Sequence, residues 1–347
     1  MCPLFEFNLK VTLTAYICKK NTHFMKPLNL LVIGLSLILI AGCNTCEVKK
    51  IAATVNRTTY LENLSSASAA WYQDGITYIT GDDVPWLFQL DNKYNIVNKT
   101  QLSHVDSLVN GRTPGSIKAD FESMDVFELH GREMMMVISS GSKKVTRDTA
   151  YLFPLATKAP IYQKNVRDFF DTISSQSGIK PGELNIEGLA VANEHVYLLQ
   201  RGNVTSNFVV SISHEAFFDY FLNNTSVPEI MIYRFELPQS EGVSAGFSGT
   251  CSLPDQAGLL FTASLENTKT ATADGEVLGS YIGYIPFCGL EKGTYSICNL
   301  TFKDKQFTKK LESITLKNTL SDGVYEVIGV GDNDDGSSDI IELTLSL

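Results

Sequence analysis

One hairpin recurs through this chain, and its repetition limits the fold more than any other feature. The clearest copy is NIEGLAVANEHVYLLQRGN, residues 185–203. Two apolar, β-branched runs flank a tight turn near Asn193-Glu194, with Glu187 at the entry and Arg201 at the exit. Runs of this kind read as strands, whose side chains alternate between faces with a period of two. Earlier copies turn at Asp74-Gly75 and His130-Gly131, and a fourth turns through residues 255–258. Asp-Gly between such runs is a strong hairpin signal, because both turn residues must accept positive φ. The fifth copy is LESITLKNTLSDGVYEVIGVGDND.

Glu122, Glu187, Ser248 and Glu312 open copies two to five at intervals of 65, 61 and 64 residues, with Ser66 or Ser68 as the counterpart in the first. Further strands follow each hairpin: Trp86–Leu90 and 96–102, then 150–155, Asn207–Ser213 and 230–237, 279–287 and 295–302, and finally 339–347. Four short strands repeated about every sixty residues is the pattern of a propeller blade. The chain is therefore expected to be all-β, a five-bladed β-propeller of four-stranded antiparallel blades. Six blades is the alternative, and a β-sandwich the competing arrangement. The fifth unit stops after three strands, so the early segment 51–64 is expected to supply its fourth. That would close the ring and remove an exposed edge. A helical insertion is expected around residues 216–222.

In such a ring the inner strands line the axis, and the start of each inner strand lies at the same end as the exit of its neighbour. Glu122, Glu187, Glu312 and Ser248 should then meet the exits that carry Asp82, Arg201, Glu266, Asp332 and Asp334. The ligand site is expected at Glu122, Glu187, Glu312, Arg201, Ser248 and Glu266. Asp82, Asp332 and Asp334 are the candidate metal ligands, and calcium is the candidate ion because it takes roughly six to eight oxygens. The same carboxylates could serve as general acid and base, since crowding raises one pKa. The structural alternative is that they pair with Arg201 or Arg147 between blades. Asp332-Asn333-Asp334-Asp335-Gly336 fits no frame of a helix-loop-helix calcium loop and reads as an acidic turn.

Residues 25–42 begin with Met25-Lys26, continue through an apolar core and end Leu39-Ile40-Ala41-Gly42 before Cys43. The core is too short to span a bilayer, and the whole resembles a lipoprotein signal peptide with a lipobox. Lipoproteins of this kind imply acylation of Cys43, a membrane partner through that anchor, and a place in the cell envelope, with Asn44 pointing to a Gram-negative outer membrane. Residues 1–24 then form an upstream extension with Met25 as the true start, 43–50 a tether and 51–347 the propeller.

The formal net charge of −10 argues against a nucleic-acid partner, which would need cations to release its counterions. Seven cysteines are too few for a disulfide scaffold, with one bond among Cys251, Cys288 and Cys298 the most that is expected. The Cys43-Asn44-Thr45-Cys46 pair lacks a second pair to support zinc or redox chemistry. No G-x-S-x-G, H-E-x-x-H or glycine-rich phosphate loop is present.

Glu187-Gly188-Leu189-Ala190, Asp120-Phe121-Glu122-Ser123-Met124 and the Gly331-to-Gly336 turn together resemble the phytase-like (esterase-like phytase) propellers. The order of DFESMDVF, SSGSKK, NIEGLAV, LLQRGN, LLFTASLENT and GEVLGSYIG is similar to an uncharacterised family of bacterial secreted propellers. The first resemblance implies hydrolysis of phosphate or carboxylic esters. The expected function is thus a membrane-anchored propeller that binds an unidentified small ligand or surface partner at its axial mouth, with or without calcium. An ester hydrolase and a structural module without a site are the alternatives.

Overall fold

Five four-stranded antiparallel sheets surround an axis in the computed structural model, which describes residues 46, 48–155, 162–270, 275–303 and 305–347. The expected signal peptide and Cys43 lie outside the described residues. From the axis outward, blade 1 holds Ala67–Gln73, Ile76–Gly81, Trp86–Leu90 and Ile96–Gln101. Blade 2 holds Phe121–Leu129, Arg132–Ser139, Thr149–Pro154 and Tyr162–Asn165. Blade 3 holds Ile186–Ala192, His195–Gln200, Asn207–Ser213 and Met231–Phe235. Blade 4 is built on Val243–Ser252, Gly258–Asn267, Glu276–Pro286 and Ser296–Asn299, with the short Gln239–Ser240 added at its inner edge.

Blade 5 is where the chain closes on itself. Ser313–Ser321, Val324–Asp332 and Ser338–Ser346 are completed by Ala52–Leu61, which runs antiparallel from Ala52 opposite Ser346 to Leu61 opposite Ser338. The expected closing strand is therefore present, and no sixth sheet of blade size forms among the described residues. The inner strand of every blade packs against those of its two neighbours, blade 5 against blade 1 included.

The core follows from this arrangement. Each blade is apolar on both faces, so the apolar side chains gather into five clusters, one at each blade interface. Met124 and Met135 pack with Leu87 between blades 1 and 2, Phe247 and Phe261 with Tyr197 between blades 3 and 4, and Ile314 with Leu260 between blades 4 and 5. The interface of blades 2 and 3 is the thickest, because two helices cover its outer part. One is His214–Asn223, the expected insertion; the other, Arg167–Ser177, buries Phe169, Phe170 and Ile173 and was not expected. Its pattern was hidden by length, since eleven residues with four buried positions give only a short periodic signal.

The hairpin turns behave as their residues require. Asp74 and Gly75 have φ of 49° and 84°, and Asn193 and Glu194 have 49° and 60°. All five hairpin turns lie at the end of the ring opposite the inner-strand starts. Pro286 ends at that same face, where the backbone N–H of Phe287 donates to the Ala257 carbonyl at 3.0 Å. The short helix Phe287–Lys292 that follows carries Cys288, which is bonded to Cys46. The cysteine expectation is corrected here: Cys251 and Cys298 are free thiols, and the partner of Cys288 is Cys46, the first of the described residues.

This cross-link closes a span of 242 residues, and loop closure in the unfolded chain is what such a bond restricts. Cys288→Ser should lower stability by about 2–4 kcal/mol. Melting under non-reducing conditions checks this, and a variant that melts with the wild type would refute it.

Candidate functional site

Each inner strand begins with a defect that places one side chain on the axis. The pairing register slips between Ala67 and Ala69, Phe121 and Ser123, Ile186 and Gly188, and Phe247 and Gly249. The residues skipped are Ser68, Glu122, Glu187 and Ser248, the positions that open each sequence copy. A bulge of this kind bends the strand and re-aims one side chain. In blade 5 Glu312 sits just before the strand, its N–H donating to the Val330 carbonyl at 2.8 Å.

Bringing five strands to one axis leaves little room, and the residue after each bulge is small. A Cβ on Gly188 would lie 2.9 Å from Thr250 Cγ2, and one on Gly249 would lie 2.7 Å from the Ser313 Cα. The Glu-Gly and Ser-Gly steps of blades 3 and 4 therefore pair an axial side chain with the clearance its strand needs.

The axial mouth is a cavity of about 380 Å³. Its walls carry eight carboxylates and five cationic side chains. Of the residues singled out from sequence, Glu122, Glu187, Glu312, Arg201, Asp82, Asp332 and Asp334 all line it. Glu266 and Ser248 do not. Glu266 lies behind Arg201, to which it is paired. The Ser248 hydroxyl is turned between blades, donating to the Leu311 carbonyl at 2.5 Å and lying 3.1 Å from the Thr262 hydroxyl. Ser248 is thus corrected from ligand contact to inter-blade tie: blade 4 carries a short side chain where blades 2, 3 and 5 carry glutamate.

Two charge networks occupy the two halves of the mouth. In blades 3 to 5, Arg201 Nη1 meets Glu187 Oε1 at 3.2 Å and Nη2 pairs with Glu266. Lys310 Nζ continues the chain to Glu312 Oε1 at 2.7 Å and Glu266 Oε2 at 3.6 Å. The Asn185 side-chain amide donates to Glu187 at 2.6 Å. In blades 1 and 2, Lys118 pairs with Asp82 and, at 2.8 Å, with Asp120. Arg147 Nη1 meets Asp120 Oδ2 at 2.9 Å, and Arg112 pairs with Asp83.

All five cations take part in these pairs, and unpartnered groups of both kinds remain: Arg147 Nε and Arg201 Nε on one side, carboxylate oxygens on the other. Glu122 makes no side-chain hydrogen bond or ion pair among the described residues. Glu312 Oε2, Asp82 Oδ1 and Asp83 Oδ1 also lack a hydrogen-bond partner there, although Glu312 and Asp83 are only 5% and 6% exposed. Asp82, Asp120 and Glu122 present carboxylate oxygens within 4.8 Å of one another. The expected metal set is regrouped accordingly. Asp82 belongs to the cluster, whereas Asp332 and Asp334 lie in the turn at the rim, with the Asp334 N–H donating to Asp332 Oδ1 at 3.0 Å.

Burial and like charge make ionisation costly at this end. Burial first, then the carboxylates of Glu187, Asp120 and Asp82, push Glu122 well above the usual range. Burial raises Glu187 to about 7 against the opposing pull of Arg201. Asp332 is raised to about 7 and Asp82 to about 6, again chiefly by burial.

Lys118, Arg112 and Lys310 escaped the sequence reading. The signal for two of them was present. Lys118 and Asp120 stand two residues apart, as do Lys310 and Glu312, so each cation lies close in the chain to a carboxylate it meets.

Carboxyl groups with raised pKa hold more protons in the folded state than in the unfolded one, so stability falls as pH rises between about 4.5 and 7. Glu122→Gln removes the least compensated of these charges. It should flatten the decline between about pH 5 and pH 8 and stabilise the protein at pH 8 by about 1–3 kcal/mol. Melting curves across that range check this, and an unchanged slope would count against it.

Solved structures resemble the chain only distantly. The Myxococcus xanthus glutaminyl cyclase is similar at 10% identity, covering 86% of this chain and 99% of its own, with a TM-score of 0.42. An exo-1,5-α-L-arabinanase from a bovine ruminal metagenomic library is similar at 11% identity, with 81% and 93% covered and a TM-score of 0.41. The RRP9 WD40 repeats are similar at 8% identity, with 85% and 100% covered and a TM-score of 0.41. No curated protein sequence matches the chain. One family model does, across residues 63–345, from the first blade to the last strand. The chain belongs to that family, described as a family of unknown function (DUF6929).

Proposed function

We propose that this protein is a lipid-anchored, extracytoplasmic propeller whose axial mouth binds a small cation, calcium being the first candidate. The observation that carries the reading is the excess of carboxylates over cations at the mouth, eight against five, with Glu122 left without a side-chain hydrogen bond or ion pair among the described residues. Buried charge is costly unless it is paired, so these groups are best balanced by a positively charged ligand. Asp82, Asp120 and Glu122 would supply the first oxygens, and a hard cation accepts such a set.

One feature supports the location. A disulfide between Cys46 and Cys288 suits an oxidising compartment. Cys46 is fixed on the turn face, opposite the mouth. Cys43→Ala should abolish acyl labelling and release the protein from the membrane fraction. A variant that still labels and sediments with membranes would remove the anchor from this reading.

Calcium titration followed by melting tests the site. A ligand that binds only the folded protein stabilises it, by about 2.7 kcal/mol at a hundredfold excess over Kd. The wild type should show that rise and Glu122→Gln should lose most of it. A melting temperature unmoved by calcium would exclude the ion.

A further inference from the structure

Residues 103–119 connect the outer strand of blade 1 to the inner strand of blade 2 and cross the mouth on the way. The connection is poorly buried: Leu108, Val109 and Ile117 are 38%, 61% and 50% exposed. What holds it is polar. The Thr113 N–H donates to the Asp83 carbonyl at 2.6 Å, Arg112 pairs with the Asp83 carboxylate, and Lys143 Nζ donates to the Ser116 carbonyl at 2.9 Å. A segment with few apolar contacts opens at low cost relative to the blades.

The end of this strap delivers Lys118 into the carboxylate cluster. Its ammonium bonds to Asp82 and to Asp120 Oδ1, two of the three groups that could hold an ion, and it is drawn also to the charge of Glu122. An ammonium offers three donors and one positive charge. It therefore stands where a bound cation would stand, and it satisfies part of the same demand. The third carboxylate keeps no hydrogen-bond partner among the described residues, and Asp83 Oδ1 beside the strap keeps none either.

We infer that Lys118 is a tethered internal cation that occupies the axial site, and that an external cation enters by displacing it and releasing the strap. This rests on the reading of the mouth as a cation site and adds its control. The two positive charges cannot share the cluster, so occupancy by one expels the other. The strap also sets selectivity, because only an ion that binds the three carboxylates better than a locally concentrated ammonium can enter. Arg112, held on the same strap by Asp83, would leave the mouth with it.

Calcium binding to the wild type, Lys118→Met and Lys118→Arg, measured by titration calorimetry, tests the inference. Lys118→Met should bind at least tenfold more tightly than the wild type, and Lys118→Arg should stay close to it. Wild-type protein supplies an independent measurement that needs no variant to fold: calcium should speed tryptic cleavage after Arg112 and Lys118. Equal calcium affinity of wild type and Lys118→Met, or strap cleavage slowed or unchanged by calcium, would overturn the tethered cation and leave the cation site standing. Absence of calcium binding in every protein, with cleavage unaffected, would bring down the site reading and this inference together.

Discussion

Close approach of five inner strands around a common axis is the constraint from which the rest follows. Twisted sheets can pack face to face around a ring only if their inner edges converge, and convergence leaves no space for ordinary side chains. The chain meets this with small residues where strands touch, Gly188 against Thr250 and Gly249 against Ser313. It meets it also with a bulge that turns the preceding side chain out of the packed layer and onto the axis. Packing and site are thus two results of one local geometry.

That geometry has an electrostatic consequence. Three of the five axial positions are glutamates, and the strand exits nearby add aspartates. Left alone, such a mouth would oppose its own folding. The structure answers with cations drawn from different blades. Arg201 and Lys310 link Glu187, Glu266 and Glu312 across blades 3 to 5, so the charges also tie the interfaces together. Removing one partner of such a network is more damaging than the network is stabilising, because the remaining charge is stranded in low dielectric. Blades 1 and 2 are balanced differently. Their cations come largely from a surface connection, Arg112 and Lys118, and from Arg147 in the loop after the second strand of blade 2. The halves of the mouth therefore differ in the elements that supply their cations although their charges are alike.

The ring is closed from outside the repeat. Ala52–Leu61 completes the last sheet, and the adjoining Cys46 is bonded to blade 4 on the turn face. These two ties secure the same end of the chain. Both act away from the axis, on the outer edge of blade 5 and on the turn face.

Much of this was legible in the residues. The hairpin turns announce themselves through Asp74-Gly75 and Asn193-Glu194, and the spacing of Glu122, Glu187, Ser248 and Glu312 marks the blades and the end of the axis that matters. Alternation and turn chemistry are local, so a sequence by itself determines them. What faces what was decided by the tertiary structure. That Ser248 ties blades while Glu122 stands unpaired, that Cys288 finds Cys46 rather than Cys251, and that Lys118 enters the carboxylate cluster all depend on distances between segments far apart in the chain. Charge pairing and cross-linking act over a few ångströms, and only the closed ring sets which groups come that close.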